Sequence, residues 1–250
     1  MLERLIADLK ISLSFLSRLR LFDAGAIEGA GIAQASWAFP VIGAAIGAIG
    51  ALVYYLAWSV GLQPFLAATL ALGATLLATG CLHEDGLADM ADSFGGATSE
   101  RKLEIMRDSR IGTYGVAALA LSLMLRAGAV ASLAEPGLVA LALIAAHAAA
   151  RATMPIVMML VPSARTDGLS AGAGRPSAES AVVAGLLGFA ALVLCLGPAG
   201  GLIAVLLLAA AIACMARLCL NEFGGQTGDT LGALEQASEI LVLLTAASWL

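Results

Sequence analysis

Gly200-Gly201-Leu202-Ile203-Ala204-Val205-Leu206-Leu207-Leu208-Ala209-Ala210-Ala211-Ile212-Ala213-Cys214-Met215-Ala216-Arg217-Leu218-Cys219-Leu220 carries one charged residue, Arg217, near its end. A helix that crosses a bilayer needs about 20 mostly apolar residues, and this run has that length. Comparable runs lie on either side of it, at 34–60, 63–82, 113–134, 138–161, 181–197 and 232–250. The fold expected is all-α: a polytopic transmembrane helical bundle of about seven spans. No internal repeat or linker divides the chain, so residues 1–250 read as a single integral membrane domain. The first span carries Pro40 with Gly43, Gly47 and Gly50, a spacing of small residues that lets helices approach closely. The last is interrupted by Glu235 and Glu239 and reads as tilted or partly buried.

Composition agrees. The chain is 60% hydrophobic and 12% charged, against about 25% charged in a soluble domain, and its mean hydropathy is +0.95. The net charge of −5, with no basic tail and few aromatics, gives no support for nucleic-acid binding. Cys81, Cys195, Cys214 and Cys219 lack the paired spacing of a zinc site or a disulfide framework, and read as free, buried thiols.

The first 20 residues have no unbroken apolar core and do not read as a cleavable signal. Leu2, Ile6, Leu9, Leu13 and Leu16 share one helical face, with Arg4, Asp8, Lys10, Ser14 and Arg18 off it. This is an amphipathic N-terminal helix, lying in the membrane interface or packed as an ordinary helix end. Basic residues then orient the spans. Arg4, Lys10, Arg18 and Arg20 precede the first; Arg101, Lys102, Arg107 and Arg110 follow the second; Arg165 and Arg175 follow the fourth. With seven spans these segments share one side, so the N-terminus, 83–112, 162–180 and 221–231 are expected to be cytoplasmic. An enzyme acting on a polar substrate at the membrane surface gathers its polar loops on one face in this way, whereas a transporter more often places ionisable groups at the midplane.

One of those segments is Gly80-Cys81-Leu82-His83-Glu84-Asp85-Gly86-Leu87-Ala88-Asp89-Met90-Ala91-Asp92. At about 100° per residue, Asp85, Asp89 and Asp92 fall on one helical stripe about 60° wide. Like charges so placed repel unless a cation sits among them. Hard carboxylate oxygens suit Mg²⁺, which commonly takes a few carboxylates together with substrate phosphates. Gly86 beside them would let a substrate approach the backbone. Glu84 points about 100° away and stands outside the cluster. His83 is open to three readings: a group supporting the ligands, a general base or a structural partner.

Three further clusters accompany it. Glu100 to Glu104 with Arg107 reads as a short surface helix; Arg107 and Arg110, followed by Gly112, suit phosphate oxygens or serve as a positive-inside anchor. Gly224-Gly225-Gln226-Thr227-Gly228-Asp229 opens a helix, so Gly225, Thr227 and Gly228 would present backbone N–H groups to a phosphate, with Asp229 as a further metal ligand. It lacks the Lys-Ser/Thr ending of a Walker loop. Glu235 and Glu239 share a face inside an apolar run and imply function or pairing. Arg151, inside a span, should face the bundle interior and find an acidic partner; Arg165 follows that span. His147 reads as a satisfied core residue, and Arg126, nearer the outer end, as one whose head snorkels. Together these residues suit metal-assisted transfer of a phosphorus-containing group.

His83-Glu84-Asp85-Gly86-Leu87-Ala88-Asp89, Ala91-Asp92 and Glu104-Ile105-Met106-Arg107-Asp108-Ser109-Arg110-Ile111-Gly112-Thr113-Tyr114-Gly115 resemble the cobalamin synthase (adenosylcobinamide-GDP ribazoletransferase) family. So does Thr227-Gly228-Asp229-Thr230-Leu231-Gly232-Ala233 with Glu235 and Glu239. Phe15-Leu16-Ser17-Arg18-Leu19, Pro40-Val41-Ile42-Gly43, and Arg151 with Ala164-Arg165 match more weakly. Cys81, Arg20 and Ser93-Phe94 depart from the family pattern without removing a proposed ligand. The resemblance implies a bacterial inner-membrane, multi-pass transferase with its active face cytoplasmic. It would join α-ribazole, or α-ribazole 5′-phosphate, to adenosylcobinamide-GDP with release of GMP, the last assembly step of adenosylcobalamin. Mg²⁺ is the implied cofactor, held by Asp85, Asp89 and Asp92 with Asp229. His83 is the candidate base and Asp85 the central catalytic carboxylate. Arg107, Arg110, Gly225, Thr227, Gly228, Arg151, Arg165, Glu235 and Glu239 are the substrate-binding candidates. The partners implied are these two substrates and the lipid bilayer, with a homo-oligomer left open. The alternatives are a CDP-alcohol phosphotransferase-like lipid enzyme, disfavoured because Ala88-Asp89 stands where that class has an Ala-Arg pair, and a cation or metabolite transporter.

Overall fold

The computed structural model describes residues 2–19 and 30–250. Arg20, one of the basic residues used for orientation, lies outside them. In chain order the helices are α1 (Leu2–Leu16), α2 (Ala30–Ala35), α3 (Phe39–Ser59), α4 (Pro64–Thr79), α5 (Leu82–Ser93), α6 (Ser99–Ile105), α7 (Thr113–Leu133), α8 (Pro136–Leu160), α9 (Leu169–Ala173), α10 (Ala178–Leu218) and α11 (Gly228–Trp249). Among the described residues the one β-type contact is an isolated bridge between Ser163 and Gln226.

Five helical stretches are long and apolar enough to cross a membrane, and α4 with α5 forms a sixth unit bent by 90°. The longest stretch contains two spans. Gly197 breaks α10 with φ 74° and ψ 171° ahead of Pro198, and a Cβ on Gly201 would lie 3.1 Å from the Val193 backbone. Residues eight apart approach that closely only when the chain reverses, so 178–196 and 198–218 form an antiparallel hairpin. The all-α polytopic fold of about seven spans stands.

Glycine sets the tightest helix pair. A Cβ on Gly43 or Gly47 would sit 2.2 Å and 2.4 Å from the carbonyl oxygens of His147 and Leu143, so α3 packs backbone to backbone on α8, as its small-residue spacing predicts. The final span, α11, is a 22-residue helix whose best apolar window is 72% buried. It is enclosed by its neighbours, which accounts for the glutamates that interrupt its apolar run.

Two expectations need correction. On α1 the buried positions include Asp8 and Ser12, held by Trp37 Nε1 (2.8 Å) and the Ala35 carbonyl (2.9 Å), while Leu2 and Ile6 stay exposed. Leu16 is buried and Leu9 and Leu13 pack on the core, so the C-terminal half of the apolar face joins the bundle together with Asp8 and Ser12. All four cysteines are free, but Cys81 and Cys214 are exposed and only Cys219 is buried.

Candidate active site

The bend between α4 and α5 builds the site. Gly80 ends α4 in the left-handed region and Cys81 follows in the same region (φ 57°). Two consecutive left-handed residues turn the chain through a right angle, so α5 leaves the direction of its span and runs across the end of the bundle. There it packs on α11 and α7. The contact with α11 is glycine to backbone: a Cβ on Gly86 would lie 2.9 Å from the Asp229 carbonyl oxygen, and one on Gly232 would lie 3.1 Å from the His83 carbonyl oxygen. Gly86 therefore admits the close approach of a helix, and it also lines the enclosed cleft. The crossing brings the Asp85–Asp89 stripe to Asp229 in the first turn of α11.

Two clefts meet at this crossing, and Asp85 and Met106 line both. One is an enclosed space of about 220 Å³ with Asp229, Thr227, Gly228 and Arg165 on its polar side and Phe15, Phe39, Met154 and Met158 on its apolar side; His83 also lines it. The other is a more open space of about 500 Å³ bordered by Asp89, Arg107 and Ser109. Asp89, on the lateral helix, has its carboxyl pushed up to about 7, first by burial and then by Asp85, Asp229 and Asp92. Arg165 Nη1 lies 3.7 Å from Asp229; its Nη2 donates to the Leu103 carbonyl at 2.7 Å, and its buried Nε has no hydrogen-bond partner.

Asp92 has a different place. The Gly112 and Gly115 N–H groups donate to its two carboxylate oxygens at 2.6 and 2.9 Å, so it caps the N-terminus of α7. A Cβ at either glycine would fall 2.4 Å from an Asp92 oxygen, which explains Gly112-Thr113-Tyr114-Gly115. Spacing put Asp92 on the stripe; the turn after Ser93 brings α7 down onto it.

The glutamates go inward. Arg126 Nη1 donates to Glu84 and Glu239 at 3.1 Å each. Arg151 Nη1 lies 2.6 Å from Glu235 and 3.0 Å from His147 Nδ1. Gln236 donates to Glu84 and Glu235 at 3.0 Å each and accepts from the Ser122 hydroxyl at 3.1 Å. His83 Nδ1 sits 3.4 Å from both Glu235 and Arg151. Arg151, Glu235 and Glu239 are at most 1% exposed and line neither cleft, so the structure does not bring these three substrate-binding candidates to the site. Arg126 does not snorkel; at 1% exposure it is the hub of the network. Among the described residues the trio of candidate ligand atoms within 4.8 Å of one another is His147, Glu235 and Glu239. Two guanidiniums already face that trio, so its charge is neutralised and a cation there would meet Arg126 and Arg151.

The remaining candidates divide. Arg107 borders the open cleft and pairs with Asp167 at 2.6 Å. Arg110 pairs with Asp108 in its own loop, with its side chain 87% exposed, and lines neither cleft. Gly225 is pressed onto another loop: a Cβ there would lie 2.5 Å from the Pro162 carbonyl. Its glycine serves that packing and not a phosphate. Thr227 caps α11 in a reciprocal box with Thr230, and Gly228 opens onto the enclosed cleft. Sequence reasoning missed the apolar wall, Glu84 as a core anion, and Gln236 with Ser122. Those last two are polar residues inside apolar runs, and that signal was available.

The profile of the cobalamin-5-phosphate synthase family matches residues 8–247. The chain belongs to that family. A relative from Bradyrhizobium diazoefficiens, named adenosylcobinamide-GDP ribazoletransferase, is 54% identical over 99% of this chain and 96% of its own length. Another of that name from Mesorhizobium japonicum is 52% identical over 98% of this chain and 94% of its own. No solved structure matches. The matched residues include the lateral α5 and the α11 crossing, so both clefts lie within the part of the chain that the family covers.

Proposed function

We propose that the chain carries out the transfer its relatives are named for, joining α-ribazole or its 5′-phosphate to adenosylcobinamide-GDP with release of GMP. The observation that carries this reading is the crossing at Gly86 and Gly232, which sets Asp85 between two separate clefts with Asp89 and Asp229 at hand. A two-substrate transfer needs two binding spaces that meet at one point.

The carboxylates fit Mg²⁺ by chemistry: hard oxygens, with Asp85 and Asp229 near enough to add to the burial that raises the Asp89 carboxyl. They do not close on one point, which suits an ion that keeps several waters and binds through one or two carboxylates plus substrate phosphates. Asp85 and Asp89, with Asp229 across the crossing, would hold it, and it would supply charge neutralisation at the pyrophosphate oxygens. The chain's own groups do the rest. Arg107 meets phosphate oxygens at the open cleft. In the tautomer whose Nδ1–H donates to Glu235 at 3.4 Å, His83 Nε2 is the nitrogen that takes the proton of the ribose hydroxyl. That oxygen forms a bond to the cobinamide-linked phosphorus, and the bond from phosphorus to the GMP oxygen breaks with its electron pair leaving on GMP. Positioning and charge neutralisation account for most catalysis in such transfers.

The membrane is proposed to be the bacterial inner membrane with the clefts cytoplasmic, supported by Arg101, Lys102, Arg107, Arg165 and Arg175 at the site's end of the bundle. Ala97→Cys and Gly172→Cys, in a background without native cysteines, should both label from the cytoplasm; labelling from opposite sides refutes the topology. The decisive assay is GMP release from adenosylcobinamide-GDP and α-ribazole by purified protein with Mg²⁺. No release under conditions in which a reference enzyme is active would overturn the function.

A further inference from the structure

The enclosed cleft ends in a wall that none of the phosphate chemistry uses. Phe15 and Phe39 stack with centroids 5.8 Å apart and planes 18° from parallel. Met154 and Met158, one turn apart on α8, line the same space, and Phe39 and both methionines are at most 4% exposed. Protein interiors are close-packed, with few voids larger than a water molecule. A space of about 220 Å³ with this apolar wall at one end and Asp85, Asp229 and Arg165 at the other is therefore not ordinary core. Thioether side chains adapt to a flat ring, and an aromatic pair offers a fixed apolar face.

The two substrates differ in what they bring to such a wall. α-Ribazole is a ribonucleoside whose base is a flat, apolar bicycle. Adenosylcobinamide-GDP brings a corrin macrocycle with its side chains, far too large for this space, and a polar guanine. We propose that the enclosed cleft is the acceptor nucleoside's site, and that Phe39, Met154 and Met158 select the aromatic base at its closed end. The base then lies among sulfur and ring carbon, and the ribose extends toward His83, Asp85 and Asp229. The open cleft, bordered by Arg107, is left for the nucleotide-activated corrinoid. This proposal rests on the transfer reading above.

Equilibrium binding separates the two, because it needs no turnover. Radiolabelled α-ribazole should bind purified wild-type protein in detergent, and Met158→Ala should weaken it about tenfold, the cost of removing a few apolar atoms from a hydrophobic pocket. The same variant should raise the KM for α-ribazole by more than the KM for adenosylcobinamide-GDP. It should also narrow the preference for the dimethylated base over unsubstituted benzimidazole. If Met158→Ala does not fold, free 5,6-dimethylbenzimidazole still tests the site on the wild type: it should displace labelled α-ribazole and leave adenosylcobinamide-GDP bound. Nucleoside affinity and base preference unchanged in Met158→Ala, or a free base that fails to displace the nucleoside, overturns the proposal. Nucleoside binding without GMP release would leave this site standing and sink the transfer reading alone.

Discussion

The helices that cross at Gly86 and Gly232 each carry carboxylates of two kinds. Asp85 and Asp89 on α5, with Asp229 on α11, border the clefts, and their nearest cation, Arg165, stands 3.7 Å from Asp229. Glu84 on α5, which also edges the open cleft, and Glu235 and Glu239 on α11 meet Arg126 and Arg151 at 2.6–3.1 Å. The same two elements thus hold one anionic set whose every member meets an arginine and one whose members largely do not. A buried carboxylate without a cation would cost several kcal/mol, so the inner set must be paired for the bundle to fold. The outer set can remain uncompensated only because solvent and ligands reach it. The split follows both residue type and position: the aspartates border the clefts and the longer glutamates reach the arginines.

Removing one member from each set should break different things. Asp85→Asn should lower GMP release about 10³-fold, roughly 4 kcal/mol of transition-state stabilisation, with the melting temperature in detergent nearly unchanged. Near-normal turnover would refute the metal assignment. Arg126→Met leaves Glu84 and Glu239 facing each other without their shared cation. Breaking one side of a buried ion network costs about 3–5 kcal/mol, so thermal unfolding should show a large drop in Tm. An unshifted melt would mean that the network is not structural. Gly86→Ala tests the crossing between the sets. Its Cβ must displace the Asp229 carbonyl, 2.9 Å away, and misplacement by about 1 Å can cost 10²-fold in rate. That loss should appear in kcat; a fully active Gly86→Ala would show that the site does not depend on this contact.

The division was half legible in sequence. The 3.6-residue period groups Asp85 with Asp89 and sets Glu84 apart; Glu84 does pair with Arg126, yet it edges the same open cleft as the two aspartates. The same period placed Asp92 on the stripe, because periodicity describes one helix and knows nothing of α7 arriving against its end. Arg151 inside a span predicted an acidic partner and found Glu235. Arg126 was misread because its partners are Glu84, 42 positions before it, and Glu239, 113 after it; no local pattern signals a pairing that distant. Span positions were readable from apolar length alone. The right-angle turn at Gly80-Cys81 was not, since Cys81 adopts a conformation its residue type does not favour.

Asp92 gives the smallest expected effect and the sharpest test of where the outer set ends. Both its oxygens accept backbone N–H groups at the start of α7, where a negative charge also complements the helix dipole. Asp92→Asn keeps one acceptor, turns the other toward an N–H as a donor, and removes the charge. The cost should be about 2 kcal/mol of stability, visible as a modest fall in Tm. GMP release measured well below that Tm should fall less than tenfold, since the clefts keep Asp85, Asp89 and Asp229. A loss as deep as that of Asp85→Asn would return Asp92 to the ligand set. The boundary would then lie at the start of α7, and capping that helix would be a second duty of a carboxylate already engaged with the cation.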